Sequence, residues 1–130
     1  MKNYCYILIT FLLLLSCTND DSQEEVLLED VIVENVLFEY TEDPANGTAR
    51  LRYEFKFTNP NSVAVKGFPG YSYQTLPDEN VTFSMIRNDH PCVNLEPGES
   101  CTIMRDIIDT IDLSSIDDIV LIDLKYTISE

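Results

Sequence analysis

His90-Pro91-Cys92 sets the single histidine of the chain two residues from a cysteine. Those two side-chain types make a nucleophile pair when the ring takes the thiol proton. The competing reading, a turn histidine beside a structural half-cystine, is the one we adopt. A thiolate metal site needs more ligands than one imidazole can complete. Carboxylates are plentiful, with 23 Asp and Glu against 8 Lys and Arg. A glycosidase, however, needs two acids across a cleft, one of them desolvated, and no acid here stands alone in an apolar run with an obvious partner. Asp106, Asp109 and Asp112 recur every third residue before Asp117-Asp118. Calcium takes several such oxygens, but the alternating Asp pattern of a calcium loop is missing, and on a strand these acids would not share a face. Solvation explains them better. There is no Gly-rich phosphate loop, nucleophile elbow or His-Glu-x-x-His helix. The absence of tryptophan weakens a sugar-stacking site. The expectation is a non-enzymatic protein with no cofactor and no metal.

A further cysteine stands in a different setting. Leu14-Leu15-Ser16-Cys17 closes the apolar run Tyr4–Leu15, which follows Lys2. A basic residue, a short hydrophobic stretch and a small residue before the cut are the parts of an export signal. The stretch falls short of the roughly 20 residues of a spanning helix. With a cysteine directly after Ser16 the segment resembles a bacterial lipobox. That resemblance implies cleavage before Cys17 and lipid attachment to its thiol, and two or more acyl chains anchor a protein stably where one does not. The alternative is a plain secretion signal with an incidental cysteine. With Cys5 lost in the signal and Cys17 acylated, Cys92 and Cys101 remain in an oxidising compartment, where a disulfide is the natural outcome. A two-residue turn at Pro97-Gly98 would set Cys92 opposite Ile103, so the bond needs a wider or bulged loop over Asn94–Glu99.

This reading divides the chain into a signal peptide (1–16), a tether (17–25) and one domain (26–130). Thr18 to Glu25 is polar and acidic, a solvated tether reaching at most about 3.3–3.6 Å per residue. It resembles the acidic run behind the lipidated cysteine of many Bacteroidota lipoproteins, which implies a lipid-anchored, surface-exposed place on the outer membrane of the cell envelope. Asp109-Thr110-Ile111 is similar to the Asp-Ser/Thr-aliphatic pattern glycosylated on exported proteins of that group, which makes Thr110 a candidate O-glycan site. The formal net charge is −15, and loss of Lys2 with the signal makes it one unit more negative. That charge disfavours nucleic acid and anionic lipid surfaces and keeps a tethered protein soluble. It would suit a cationic partner or divalent ions, though a solvated acidic surface is the simpler account.

The elements that must carry these residues read as β-strands. Over Arg50–Thr58, Leu51, Tyr53, Phe55 and Phe57 alternate with Arg50, Arg52, Glu54 and Lys56, which predicts one buried and one wet face. Val36, Phe38 and Tyr40 repeat the pattern upstream, and Asn46-Gly47 suits a hairpin turn. Tyr71 with Tyr73, then Val81, Phe83 and Met85, predict two further strands. Cys101, Ile103, Arg105 and Ile107 alternate imperfectly with Thr102, Met104 and Asp106. The last strand should place Val120, Ile122, Leu124, Tyr126 and Ile128 on one face. Turn signals stand at Asn59-Pro60-Asn61-Ser62, Phe68-Pro69-Gly70, Pro77-Asp78 and Pro97-Gly98. Glu24–Val33 fits a strand or a short helix. Asp112–Asp118 reads as a crossover with a capped helical turn. Phe68, Tyr71 and Tyr73 suit either an aromatic binding loop or, more readily, core-facing positions. The sum is an all-β, antiparallel two-sheet immunoglobulin-like sandwich of about seven strands.

Phe57-Thr58-Asn59-Pro60-Asn61-Ser62-Val63-Ala64-Val65 with Leu95-Glu96-Pro97-Gly98-Glu99-Ser100 resembles a widespread type of exported immunoglobulin-like domain. There an aromatic strand ends in an Asn-Pro-Asn turn and a Pro-Gly-Glu turn enters a late strand. The first turn is similar to that of water-stress, late-embryogenesis-abundant sandwiches, and the second to that of bacterial proteinase-inhibitor sandwiches. The resemblance implies a fold and no activity. The expected function is a lipoprotein acting as a binding or accessory module, held to the membrane by its lipid and meeting a protein or glycan partner. The alternatives are an extracellular protease inhibitor using a loop around Asn88–Cys92, and a stress-protective structural protein.

Overall fold

The computed structural model describes residues 27–110 and 117–129. They hold seven strands: β1 (Ile32–Asp43), β2 (Thr48–Thr58), β3 (Val65–Leu76), β4 (Asn80–Met85), β5 (Asn94–Leu95), β6 (Ser100–Thr110) and β7 (Asp118–Ile128). One 3-10 turn spans Pro91–Val93. All pairings are antiparallel, and they form two open sheets, β1-β2-β6 and a four-stranded sheet centred on β3. This is the all-β two-sheet sandwich that the alternation predicts.

β2 is the spine of the core. Tyr53, Phe55 and Phe57 are buried in step, and Phe55 and Phe57 have no exposed surface. Tyr53 lies 4.9 Å from Phe55 and 5.1 Å from Tyr71, ring centroid to ring centroid, so aromatic packing joins the two sheets. Val65, Leu95, Ile103 and Tyr126 complete the centre. Each large side chain buried there contributes about 1.5–3 kcal/mol. The other face of β2 is charged, as expected, and finds partners: Arg50 with Asp106, Arg52 with Glu39, Lys56 with Glu34. These pairs are exposed and add little stability; they match β2 to the strands on either side. The Arg50 guanidinium donates to Asp106 and holds its carboxyl below the usual carboxylate range.

The β1–β2 hairpin turns at Asn46-Gly47. Asp43 accepts from both the backbone and the side chain of Asn46, and Gly47 takes φ +62°.

Three expectations change, and a fourth strand takes a facing that the sequence left open. In β1, Val36 is the extra residue of a bulge between Asn35 and Leu37 and is exposed; Phe38 packs on the core as expected, and Val33 takes the place given to Val36. In β7, Ile122 is likewise extra, between Leu121 and Asp123. Leu124, Tyr126 and Ile128 therefore face inward, but beyond the bulge Leu121 takes over and Val120 turns out. One inserted residue reverses every side chain after it. Phe68-Pro69-Gly70 is no turn: it lies inside β3. Pro69 is tolerated because β4 pairs only Gly70–Thr75 and β5 only Val65–Lys66, so its missing N–H falls in the gap between them. Lastly, β4 forms as expected and takes a facing that the sequence left open. Val81, Phe83 and Met85 point outward, where Phe83 lies close over Gly70 and Lys125 sits 4.8 Å above its ring.

Leu27–Val31 has no regular structure, and Ile32 begins β1. The rest of Glu24–Val33, and Asp112–Asp118 except its last two residues, lie outside the described residues. Tyr71 is buried and Tyr73 packs on the core, as the core-facing reading has it.

Candidate functional site: a polar flank between the sheets

Cys92 and Cys101 are joined, with Cα atoms 5.4 Å apart, an ordinary disulfide separation. The wider connection that the sequence calls for is a change of sheet. Cys101 sits on β6 opposite Phe57 of β2, whereas Cys92 lies in the 3-10 turn that leads into β5 of the other sheet. Pro91 starts that turn, His90 caps it by accepting the Cys92 N–H on Nδ1 at 3.2 Å, and the Tyr126 hydroxyl donates to the Val93 carbonyl at 2.9 Å. The disulfide therefore clamps the segment after β4 against the edge of the opposite sheet. Cys92 is fully buried and bonded, so the Cys–His nucleophile has no thiol. His90, Cys92 and Cys101 do converge, but with both sulfurs in the disulfide only the imidazole can bind a metal. Cys101→Ser is expected to cost about 2–3 kcal/mol, the entropy of a short closed loop, measured by urea unfolding of oxidised wild type against the variant.

Next to this clamp the sandwich is open. A cleft of about 420 Å³ is bounded by Tyr53 of β2, Arg105 of β6, Ser84 and Met85 of β4, and the loop from Ile86 through Arg87, Asp89 and His90 to Pro91. Its cause is the side-chain pattern of the two strands that face it. On β6 the inward face runs Cys101, Ile103, Arg105, so a guanidinium stands where an apolar residue would close the core. On β4 the outward turn of the apolar residues puts Thr82 and Ser84 on the inward side, opposite Tyr73 and Tyr71 of β3. Polar side chains stand on both walls of the gap, where burial without a hydrogen-bond partner would be costly.

The cleft is rich in donors. Because Nδ1 of His90 accepts a backbone N–H, the neutral ring carries its proton on Nε2. Burial pushes the pKa of the Tyr53 hydroxyl up, and Tyr71 adds to this while Arg105 pulls it down; the phenol stays a protonated donor at neutral pH. Arg105 bonds the Met104 carbonyl and, among the described residues, makes no ion pair. Asp89, the acid of the lining, lies 3.3 Å from Arg87.

The other residues singled out by sequence stand apart from this cleft. Cys17, with the signal and tether, lies outside the described residues. Thr110 is exposed at the end of β6, and its N–H donates to the Asp109 carboxylate. Asp106 faces Arg52 across the outer surface and Asp109 faces Ala49 across the inner, so the two share no ligand sphere. What the sequence did not reveal is the role of Asn59, which is fully buried and ties three loops together, and the inward turn of Arg105 beside Tyr53. The imperfect alternation of β6 was the one available sign of the latter. No family model matches the chain, and comparisons with curated proteins and with solved structures find no match.

Proposed function

We propose that this chain is a lipid-anchored, non-enzymatic binding or accessory module of the cell envelope, held through Cys17 at the outer membrane and exposed at the surface. The observation that carries the binding part is the polar flank between β4 and β6, where both walls turn hydrophilic side chains inward beside a disulfide-fixed loop. A sandwich that only had to fold would close that flank with apolar residues, since inward polar groups weaken a core unless they meet water or a ligand. The anchoring part rests on Leu14-Leu15-Ser16-Cys17 and the acidic run behind it. The inhibitor alternative draws no support from the loop: Arg87–His90 closes a turn, with the His90 N–H on the Arg87 carbonyl at 3.0 Å, and a 3-10 turn follows. A protease would need extended peptide there.

The test of the anchor is metabolic labelling with an alkyne fatty acid, followed by fractionation. Wild type should carry the label and sediment with membranes, and Cys17→Ala should lose the label and leave the outer-membrane fraction. Equal labelling of both would remove Cys17 as the attachment site.

A further inference from the structure

We propose that the flank cleft binds the C-terminal carboxylate of an extended peptide, with Arg105 as the residue that holds it. The inference rests on the binding-module reading and names its ligand. The donor set is the first argument: Arg105, Tyr53, Ser84 and His90 line one cleft and each has a group that donates to an anion, while the acid of the lining, Asp89, is paired with Arg87.

Charge is the second. The chain has a formal net charge of −15, so its long-range field repels anything polyanionic. A single carboxylate pays little for that field and gains a guanidinium that lacks a carboxylate partner among the described residues. Phosphate-rich or multiply sulfated ligands are thereby disfavoured.

The third argument selects a peptide over a sugar acid. Among the described residues β6 pairs with β2 alone, so its other edge offers backbone N–H and C=O groups beside Arg105 that no described strand takes up. An extended peptide can add to that edge as a strand while its terminus enters the cleft. Met104, Ile107 and Ile108 of the same strand are exposed on either side and can receive its side chains. A sugar acid would use the cleft and leave the edge idle.

The experiment captures peptides on the immobilised full-length chain in detergent from two random hexapeptide pools, one with free carboxyl ends and one amidated, with galacturonate as competitor. Free ends should be retained about tenfold over amidated ends, the loss ordinarily expected when one charge-assisted bond is removed. Arg105→Gln should abolish that preference while unfolding at the wild-type temperature, since the side chain is exposed, and Arg105→Lys should keep part of it. Equal retention of both pools, retention of neither, an unchanged preference in Arg105→Gln, or displacement by galacturonate alone would each overturn the proposal. None of these results would touch the anchored module itself, whose partner is sought separately by crosslinking on cells.

Discussion

Asn59→Ala should lower the stability of the domain by about 3 kcal/mol, a fall in Tm of about 15 °C. The side chain has no exposed surface. Its amide donates to the carbonyls of Val63, Leu95 and Glu96 at 2.9, 3.1 and 3.1 Å, and its oxygen accepts both the N–H and the side-chain amide of Asn61 at 2.9 Å. Its own N–H reaches the Glu99 carbonyl at 2.9 Å. Asn61 in turn exchanges two bonds with the Glu29 backbone. One residue thus fastens the Asn-Pro-Asn turn, the Pro-Gly-Glu turn and the entry to β1. Alanine leaves the carbonyls without donors, and an unsatisfied buried group costs about 1–3 kcal/mol. Asn59→Asp is the sharper probe: equal in shape, it aims a charged acceptor at three carbonyls, and it should be at least as damaging as alanine at neutral pH. A loss under about 1 kcal/mol for both, read by thermal and urea unfolding, would show that the network contributes no net stability.

Gly67→Ala should be as severe, again about 3 kcal/mol, through overpacking. A Cβ at Gly67 would press into the Thr127 carbonyl oxygen and the Tyr126 ring, closer than real contacts allow. Gly67 pairs with Ile128 in the β3–β7 ladder, so the carbonyl cannot retreat without loosening the sheet. The ring cannot move freely either, because its hydroxyl holds Val93 beside the disulfide. The combination Gly67→Ala with Tyr126→Leu tests this reasoning: it removes the ring and leaves the carbonyl, so it should not restore stability. Full rescue would mean that the backbone contact is harmless.

Both positions show where sequence stops short of structure. β2 could be read residue by residue, because its alternation is unbroken and its wet face carries four charges. The β1–β2 turn was equally legible, since Asn-Gly dictates backbone geometry locally. The phase of β1 and β7 was not. A bulge adds one residue at a place decided by the partner strand, so Val36 and Ile122 look like core and are exposed. Pro69 reads as a turn until the gap between β4 and β5 is known. The apolar face of β4 turns outward because Gly70 leaves room for Phe83, a fact held by a different strand. Asn59 announces a turn, and its burial depends on one segment, Leu95-Glu96, that arrives over thirty residues later. Arg105 breaks an alternation, but only the pairing with β2 shows that it faces Tyr53 across an open flank.

The central claim, a domain fixed to the cell surface by Cys17 that meets a partner there, is tested most directly on intact cells. A membrane-impermeant biotin reagent would be applied to cells bearing wild type or Cys17→Ala, with gentle crosslinking and identification of what is captured alongside. The account predicts labelling that depends on Cys17 and a recurrent companion protein. Protection of the wild-type chain from the reagent while it still fractionates with membranes would contradict the surface placement and move the partner to the periplasm.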